Sequence, residues 1–439
     1  MAMMLGKTTI FSIIFAIFLG VLRNCYLQSP LRPVAVEMPP LPTTPANESR
    51  LVGTPKIFEN DWPGAEHVTF HCDKKNKCTG YSGLADGRVV AFNPDAPEDG
   101  YETLNRTGCV SKWGCPRLTR EELPADVDVP VCGELKWEDV CGRPLGLTVS
   151  EDGGTLLVAD AYFGILAVTL LGEERGELSV VASHYLEKDS TNFQTRKILK
   201  LPNSIQVVKT GALYFTHTTD NWERRTILLD LLETSPGGKV MKMDNWRNKL
   251  EETPRVIWNS LVFANGLLVD QDEKFALVAE TAMARIKRLD MATSKVSVAV
   301  ENVPCTIDNL AWEVQKDGVS RDQKGVWLGC AVRRVKPFAL IDFLASSTGF
   351  RRFLGGALYF TGTSHFMYKL VPKTGMAIKM EAEDDARTLV LKDANIYIDP
   401  KGAHVPGMAQ AVPFKGKLYM GSHKAEYKGL AVYSLKSGE

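Results

Sequence analysis

The chain has 439 residues, with 52 basic and 52 acidic side chains and no formal net charge. Charged residues make up 24% of it, an ordinary globular share, which excludes the basic footprint of a nucleic-acid binder and the charge excess of a disordered chain. The length could hold two or three domains, but closed all-β architectures often run this long as one.

The first element in chain order is an uncharged, mostly apolar run, "TTIFSIIFAIFLGVL" (8–22), flanked by Lys7 and Arg23. It is short for a membrane span, which needs ~17–25 residues, and suits the core of a signal peptide equally well. No small-x-small cleavage site follows it, so residues 1–23 read as an uncleaved signal-anchor in preference to a cleaved signal peptide. Either way the remainder enters the secretory route. The expectation is a single-pass protein of the endoplasmic reticulum or plasma membrane with its domain lumenal or extracellular, or a secreted protein if the N-terminus is cleaved. Residues 24–55 are rich in proline and read as an extended stalk. Two N-glycosylation sequons, at Asn47 and Asn105, agree with export.

The cysteines agree as well. Of nine, six fall as close neighbours: Cys72 and Cys78, Cys109 and Cys115, Cys132 and Cys141. Zinc-ligand spacing is missing, so local disulfides in an oxidising lumen fit better, with Cys132 and Cys141 one candidate pair. Spacing leaves the connectivity open.

From residue 56 onward the text is strand-like. "GLTVSEDGGTLLVAD" (146–160), "NSIQVVKTGALYFTH" (203–217) and "NGLLVDQDEKFALVAE" (265–280) share one pattern of short strand, polar turn and second apolar strand. Related units begin at residues 66, 308 and 408. Six units of roughly 64 residues predict an all-β fold, a six-bladed β-propeller over residues 56–439. The first strand of every blade lines one central channel, so the same repeat position in each unit converges in space.

That position holds Glu66, Gly146, Asn203, Asn265 and Asp308, with Ala409 near it in the last unit. Two carboxylates and two carboxamides supply hard oxygen donors, the chemistry of a Ca2+ site, and Asn309 is a further candidate ligand. Zinc would call for nitrogen or sulfur. The plain alternative is that Asn and Asp before strands serve as turn and cap residues, and Asn265-Gly266 by itself reads as a hairpin turn. The repeat places the turn later, at "QDEK" (271–274), and gives Gly266 the role of letting the backbone approach a crowded channel.

The stretches "CGRPLGL" (141–147), "LLVADAYFGILAV" (156–168), "LYFTHTTDNWERR" (213–225), "ALVAETAMARIKR" (276–288), "VWLGCAV" (326–332) and "KLYMGS" (417–422) resemble the strictosidine synthase-like family, in order over about residues 56–437. The resemblance implies a six-bladed propeller behind a short N-terminal anchor. It also implies kinship with calcium-dependent lactonases and arylesterases such as paraoxonases and gluconolactonases. The family's metal-site residues fall on Glu66, Asn203, Asn265, Asp308 and Asn309. The glutamate used for amine–aldehyde condensation has no counterpart near Ala409, and the paraoxonase-type histidine pair falls near Leu145 and Asp160. His217 stands where relatives usually carry aspartate.

The expectation is therefore a calcium-dependent hydrolase of small-molecule esters or lactones. Asp308 is its candidate base and His217 a candidate proton carrier, against the alternative of a turn histidine. A non-catalytic module pinned by calcium is the alternative function, and Pictet–Spengler condensation is disfavoured. Arg143 reads as an anion-orienting group or the partner of a blade carboxylate. Residues 338–354, apolar with Asp342, Arg351 and Arg352, read as a lid or membrane-resting segment, or as an inter-blade helix.

Overall fold

Six four-stranded antiparallel sheets arranged as a β-propeller make up the domain in the computed structural model, which describes residues 19–43, 49–108, 132–188, 194–247, 253–315, 320–364 and 373–436. The innermost strands are His67–Cys72, Pro144–Val149, Pro202–Val207, Ala264–Val269, Cys305–Val314 and Met408–Phe414. Lys56–Ile57 forms the outer strand of the sixth blade, paired with Leu430–Ser434, so the two ends of the domain close the ring together. "QDEK" is a turn, and Asn265 and Gly266 lie inside a fully buried strand.

Apolar side chains alternate along the strands and pack blade on blade. Between the fourth and fifth blades Leu277, Ile286, Ile307 and Leu328 are fully buried, each stabilising by about 1.5–3 kcal/mol. Inner strands also tie to one another directly. Gln206 donates from Nε2 to the Val269 carbonyl at 2.7 Å and accepts from the Val269 N–H at 2.9 Å.

Gly266 sits where the inner strands of the fourth and fifth blades meet. A Cβ there would lie 2.6 Å from both the Asp308 carbonyl oxygen and the Leu310 nitrogen. Only a residue without a side chain allows that approach.

Connections at one end of the propeller carry helices. These are α1 (residues 19–27), α2 (Glu138–Cys141), α3 (Ile227–Glu233), α4 (Leu340–Ala345) and α5 (Thr348–Thr361). The inner strands begin at this end, because each runs away from it toward its polar turn.

Of residues 24–55, read from the sequence as a stalk, 24–27 belong to α1, and Ser29, Leu31 and Leu51 are buried against the propeller. The Val34 N–H donates to the Glu233 carbonyl at 3.0 Å, and the Val34 carbonyl accepts from Arg351. The Pro39 carbonyl accepts from Arg334 at 2.6 Å. Proline leaves carbonyls unpaired within an extended chain, and buried arginines from the fifth blade collect them.

Disulfides join Cys72 to Cys78, Cys132 to Cys141, and Cys305 to Cys330. The last joins two adjacent strands of the fifth blade. Cys25 is buried and free. Cys109, Cys115, Asn47 and residues 1–18 of the expected anchor lie outside the described residues. No helix among the described residues is long and apolar enough to cross a membrane. Asn105 is buried and donates from Nδ2 to the Gly176 carbonyl at 2.6 Å.

Candidate functional site

Five of the six inner strands carry a register irregularity at the same level, just inside the helix-bearing end. In the third blade Pro202 pairs with His217 and Ile205 with Phe215, which leaves Asn203 and Ser204 in a bulge. The fourth blade repeats this at Asn265 and Gly266, and the fifth at Asp308 and Asn309. The second and sixth blades do so at Leu145 and Ala409. A bulge turns a side chain out of the alternating pattern. The candidate ligands of the third, fourth and fifth blades thus sit on bulges, and Glu66 precedes the regular first strand.

The side chains of Asn203, Asn265 and Asn309 are buried, and their Oδ1 atoms have no hydrogen-bond partner among the described residues. Nδ2 of Asn203 donates to Thr218 Oγ1 and that of Asn309 to Asp308 Oδ1, each at 3.4 Å. An unpaired buried amide oxygen costs about 1–3 kcal/mol, and three at one level of the channel call for a common partner. Burial raises the Asp308 carboxyl well above its usual range. The charge of Glu66 raises it further, while Asn265, Arg224 and Arg143 pull it back. Those influences place Glu66, Asn265 and Asp308 in one neighbourhood. No three His, Cys, Asp or Glu side chains among the described residues are placed to hold a metal ion by themselves, so a metal here would rest on carboxamides as well as carboxylates. Hard, mostly neutral oxygen donors with two carboxylates fit Ca2+.

Glu66 is also engaged by arginines. Arg143, fully buried, donates from Nη2 to Glu66 Oε2 at 2.5 Å and from Nη1 to the Gly64 carbonyl at 3.2 Å. Arg224 lies 3.5 Å from the same carboxylate oxygen and 2.5 Å from Glu138 Oε1. Both arginines donate to the His423 carbonyl, at 3.2 and 3.1 Å. Arg143 thus takes the carboxylate-partner role of its two readings. Burial pushes the His423 imidazole well below its usual pKa, and Lys424, Arg224 and Arg143 add to this, so it is neutral. Arg224, Glu138 and His423 were not among the expected site residues. Glu138 comes from the connection between the first and second blades, and Arg224 and His423 from connections between the second and third strands of their own blades, where no repeat register marks them.

His217 is fully buried, and its Nε2 lies 3.1 Å from Asp220 Oδ1. Burial lowers its pKa, against the pull of Asp220. Burial alone would raise Asp220, but His217 and Lys239 hold it below its ordinary range. Tyr185 donates to the same carboxylate at 2.9 Å. His217 thus belongs to an Asp220–Lys239–Tyr185 cluster, and its observed partner is not one of the bulge residues. Asp160, at one of the paraoxonase-type histidine places, accepts from the backbone N–H groups of Arg143, Tyr162 and Phe163 and from Thr107, and Leu145 is packed in the core. A cavity of about 900 Å³ opens at the opposite mouth of the channel, lined by hairpin residues such as Ser150, Asp270 and Asp384. It is remote from the bulges.

The strictosidine synthase family model matches residues 203–293, which include Asn203 and Asn265. Adipocyte plasma membrane-associated protein from Bos taurus is 29% identical over 419 residues, 91% of this chain and 84% of that protein. Protein strictosidine synthase-like 3 from Arabidopsis thaliana is 28% identical over 409 residues, 91% of this chain and 90% of its own. Among solved structures, a gluconolactonase from Xanthomonas campestris aligns at 12% identity and a TM-score of 0.47, covering 93% of this chain and 99% of that one.

Proposed function

For a chain that resembles the strictosidine synthase-like family over most of its length, we propose a calcium-dependent hydrolase of esters or lactones, tethered to a membrane of the secretory pathway. The observation that carries the reading is the set of three unpartnered, buried Oδ1 atoms of Asn203, Asn265 and Asn309 beside Asp308 and Glu66. These five residues would hold the ion. When bound, it would polarise a substrate carbonyl and favour the developing oxyanion.

The chain's own groups do the rest. Asp308, close to its carboxamide neighbours, takes the proton of the attacking water. Arg143 and Arg224 fix Glu66 and keep the charge of the channel mouth nearly balanced. With Asp308 ionised, Glu66, Glu138 and Asp308 oppose Arg143 and Arg224, three carboxylates against two guanidinium groups, which leaves one net negative charge. We assign His217 to positioning Asp220 rather than to proton transfer. Ala409 offers no carboxylate for amine–aldehyde condensation.

The non-catalytic reading is favoured by one feature. The candidate ligands are nearly closed off, with Glu66 and Asn265 each 4% exposed. Turnover of phenyl acetate and simple lactones by the full chain, with and without EGTA, separates the two. Turnover lost in EGTA and in Asn265→Ala at unchanged melting temperature supports the enzyme. Calcium binding without turnover on a broad ester and lactone panel leaves the module.

A further inference from the structure

Helices α4 and α5 span the connection between Arg333 and Gly375, at the same end of the propeller as the bulges. Their inner sides pack on α3 through Leu229, Leu232, Leu344 and Leu358. Their outer sides are apolar and open: Phe338 is 60% exposed, Leu340 53%, Phe343 64%, Phe350 51%, Tyr359 49% and Phe360 52%. Helix α1 adds Leu19, Val21, Tyr26 and Leu27. Ten of the 17 exposed large hydrophobic side chains among the described residues therefore lie on these neighbouring elements. Patches beyond a few hundred Å² are uncommon on a surface that meets only water.

Charge agrees. Asp342 is the only acidic residue between 338 and 361, and the fully buried Arg334 neutralises it through two hydrogen bonds from Nε and one of 2.6 Å from Nη2. Arg351 is buried against carbonyls, and Arg352 lies over the Tyr26 ring.

The glycine pair Gly355-Gly356 fixes what joins this face. Each glycine costs a helix interior about 1 kcal/mol of propensity. A Cβ at Gly356 would lie 1.9 Å from the Cys25 carbonyl oxygen, and one at Gly355 2.1 Å from a Leu31 methyl. The pair lets the last turns of α1 and the segment that follows it lie directly on α5. Residues 19–22, the end of the uncharged apolar run read from the sequence, form the first part of α1, at the edge of this platform.

We propose that the outer face of α4 and α5, together with α1, rests in the interfacial layer of the lipid bilayer and turns the bulge-bearing end of the channel toward it. Aromatic side chains with few free charges favour that layer. The domain is then held flat on the membrane by a second contact besides the N-terminal run, and the molecules reaching the channel are amphiphiles delivered from the lipid. The docking itself stands whether or not the chain hydrolyses esters.

The test places a tryptophan at exposed positions of the full chain reconstituted into phosphatidylcholine vesicles. Phe343→Trp and Phe360→Trp probe the platform, and Leu171→Trp, 62% exposed on a hairpin at the far end, is the control. All three positions are exposed, so the exchanges spare the packed core. Brominated phosphatidylcholine, a short-range quencher, is expected to remove about half or more of the fluorescence added at 343 and 360 and none of that added at 171. Equal, negligible quenching at all three positions would overturn the proposal. A face covered by a second copy of the chain gives that same result.

Discussion

Arg143 has no exposed surface, and one of its nitrogens lies 2.5 Å from the only candidate calcium ligand contributed by the first blade. A guanidinium and a divalent cation repel each other and compete for the same carboxylate, so the arginines set the affinity of the site. One positive charge a few ångströms from a divalent cation opposes it by several kcal/mol at an effective dielectric near 20 before solvent screening, so its removal favours binding. Arg143→Gln should tighten calcium binding by about tenfold, measured by calorimetric titration. It should also lower the melting temperature, because a buried carboxylate loses its partner. Arg224→Gln, at a less buried position, should tighten binding with a smaller loss of stability; weaker binding in both variants would contradict the competition. A second residue carries a pH signature. Asp230 in α3 is buried, and desolvation raises its carboxyl from its ordinary value to about 7, with Glu233 and Asp220 adding to the rise and Thr219 opposing it. The folded chain then keeps a proton that the unfolded chain releases near pH 4. Its contribution to stability is present below that pH and is lost as pH rises through about 7. Asp230→Asn mimics the protonated form, so its melting temperature should exceed that of the parent at pH 7.5, by about 1 kcal/mol or more in stability, and match it at pH 4. A constant difference across that range would exclude Asp230 as the titrating group.

Gly266 shows how an inner strand and its neighbour depend on one atom. A methyl group there meets the Asp308 carbonyl and the Leu310 nitrogen, both backbone atoms that cannot swing aside. Gly266→Ala should destabilise the chain by about 1–3 kcal/mol and weaken calcium binding, because relief requires the Asp308 strand to move. Unchanged stability and affinity would mean that the two strands are not held in this register. The inner strands were legible in the sequence because apolar alternation and polar turns recur at one spacing, and Asn203, Asn265 and Asp308 were legible because they share that register. Their bulges were not, since one extra residue in a strand leaves no mark in an alternation read from one chain. The Cys305–Cys330 bridge escaped for a related reason: its partners are 25 residues apart in sequence and adjacent only once the fifth blade has formed.

The whole molecule is a ring closed by a strand from its own beginning, with a helical layer over the end where the candidate ligands gather. That layer is where sequence reading lost its hold. Proline-rich composition announced an extended segment at 24–55 but not the buried Arg334 and Arg351 that bind its carbonyls. Arg224 and Glu138 are equally aperiodic, and only the folded chain brings their connections over Glu66. The apolar stretch at 338–354 proved to be two helices with an exposed outer face. In the proposed function, residues from four blades, far apart in the chain, would share one cation. Calcium bound per chain at equilibrium, read by metal analysis after dialysis against buffered millimolar calcium, tests it most directly. One ion is expected on the full chain and none on Asn203→Ala or Asn265→Ala at unchanged fold. A full chain that carries no calcium, or an Asn265→Ala variant that keeps it, would contradict the account.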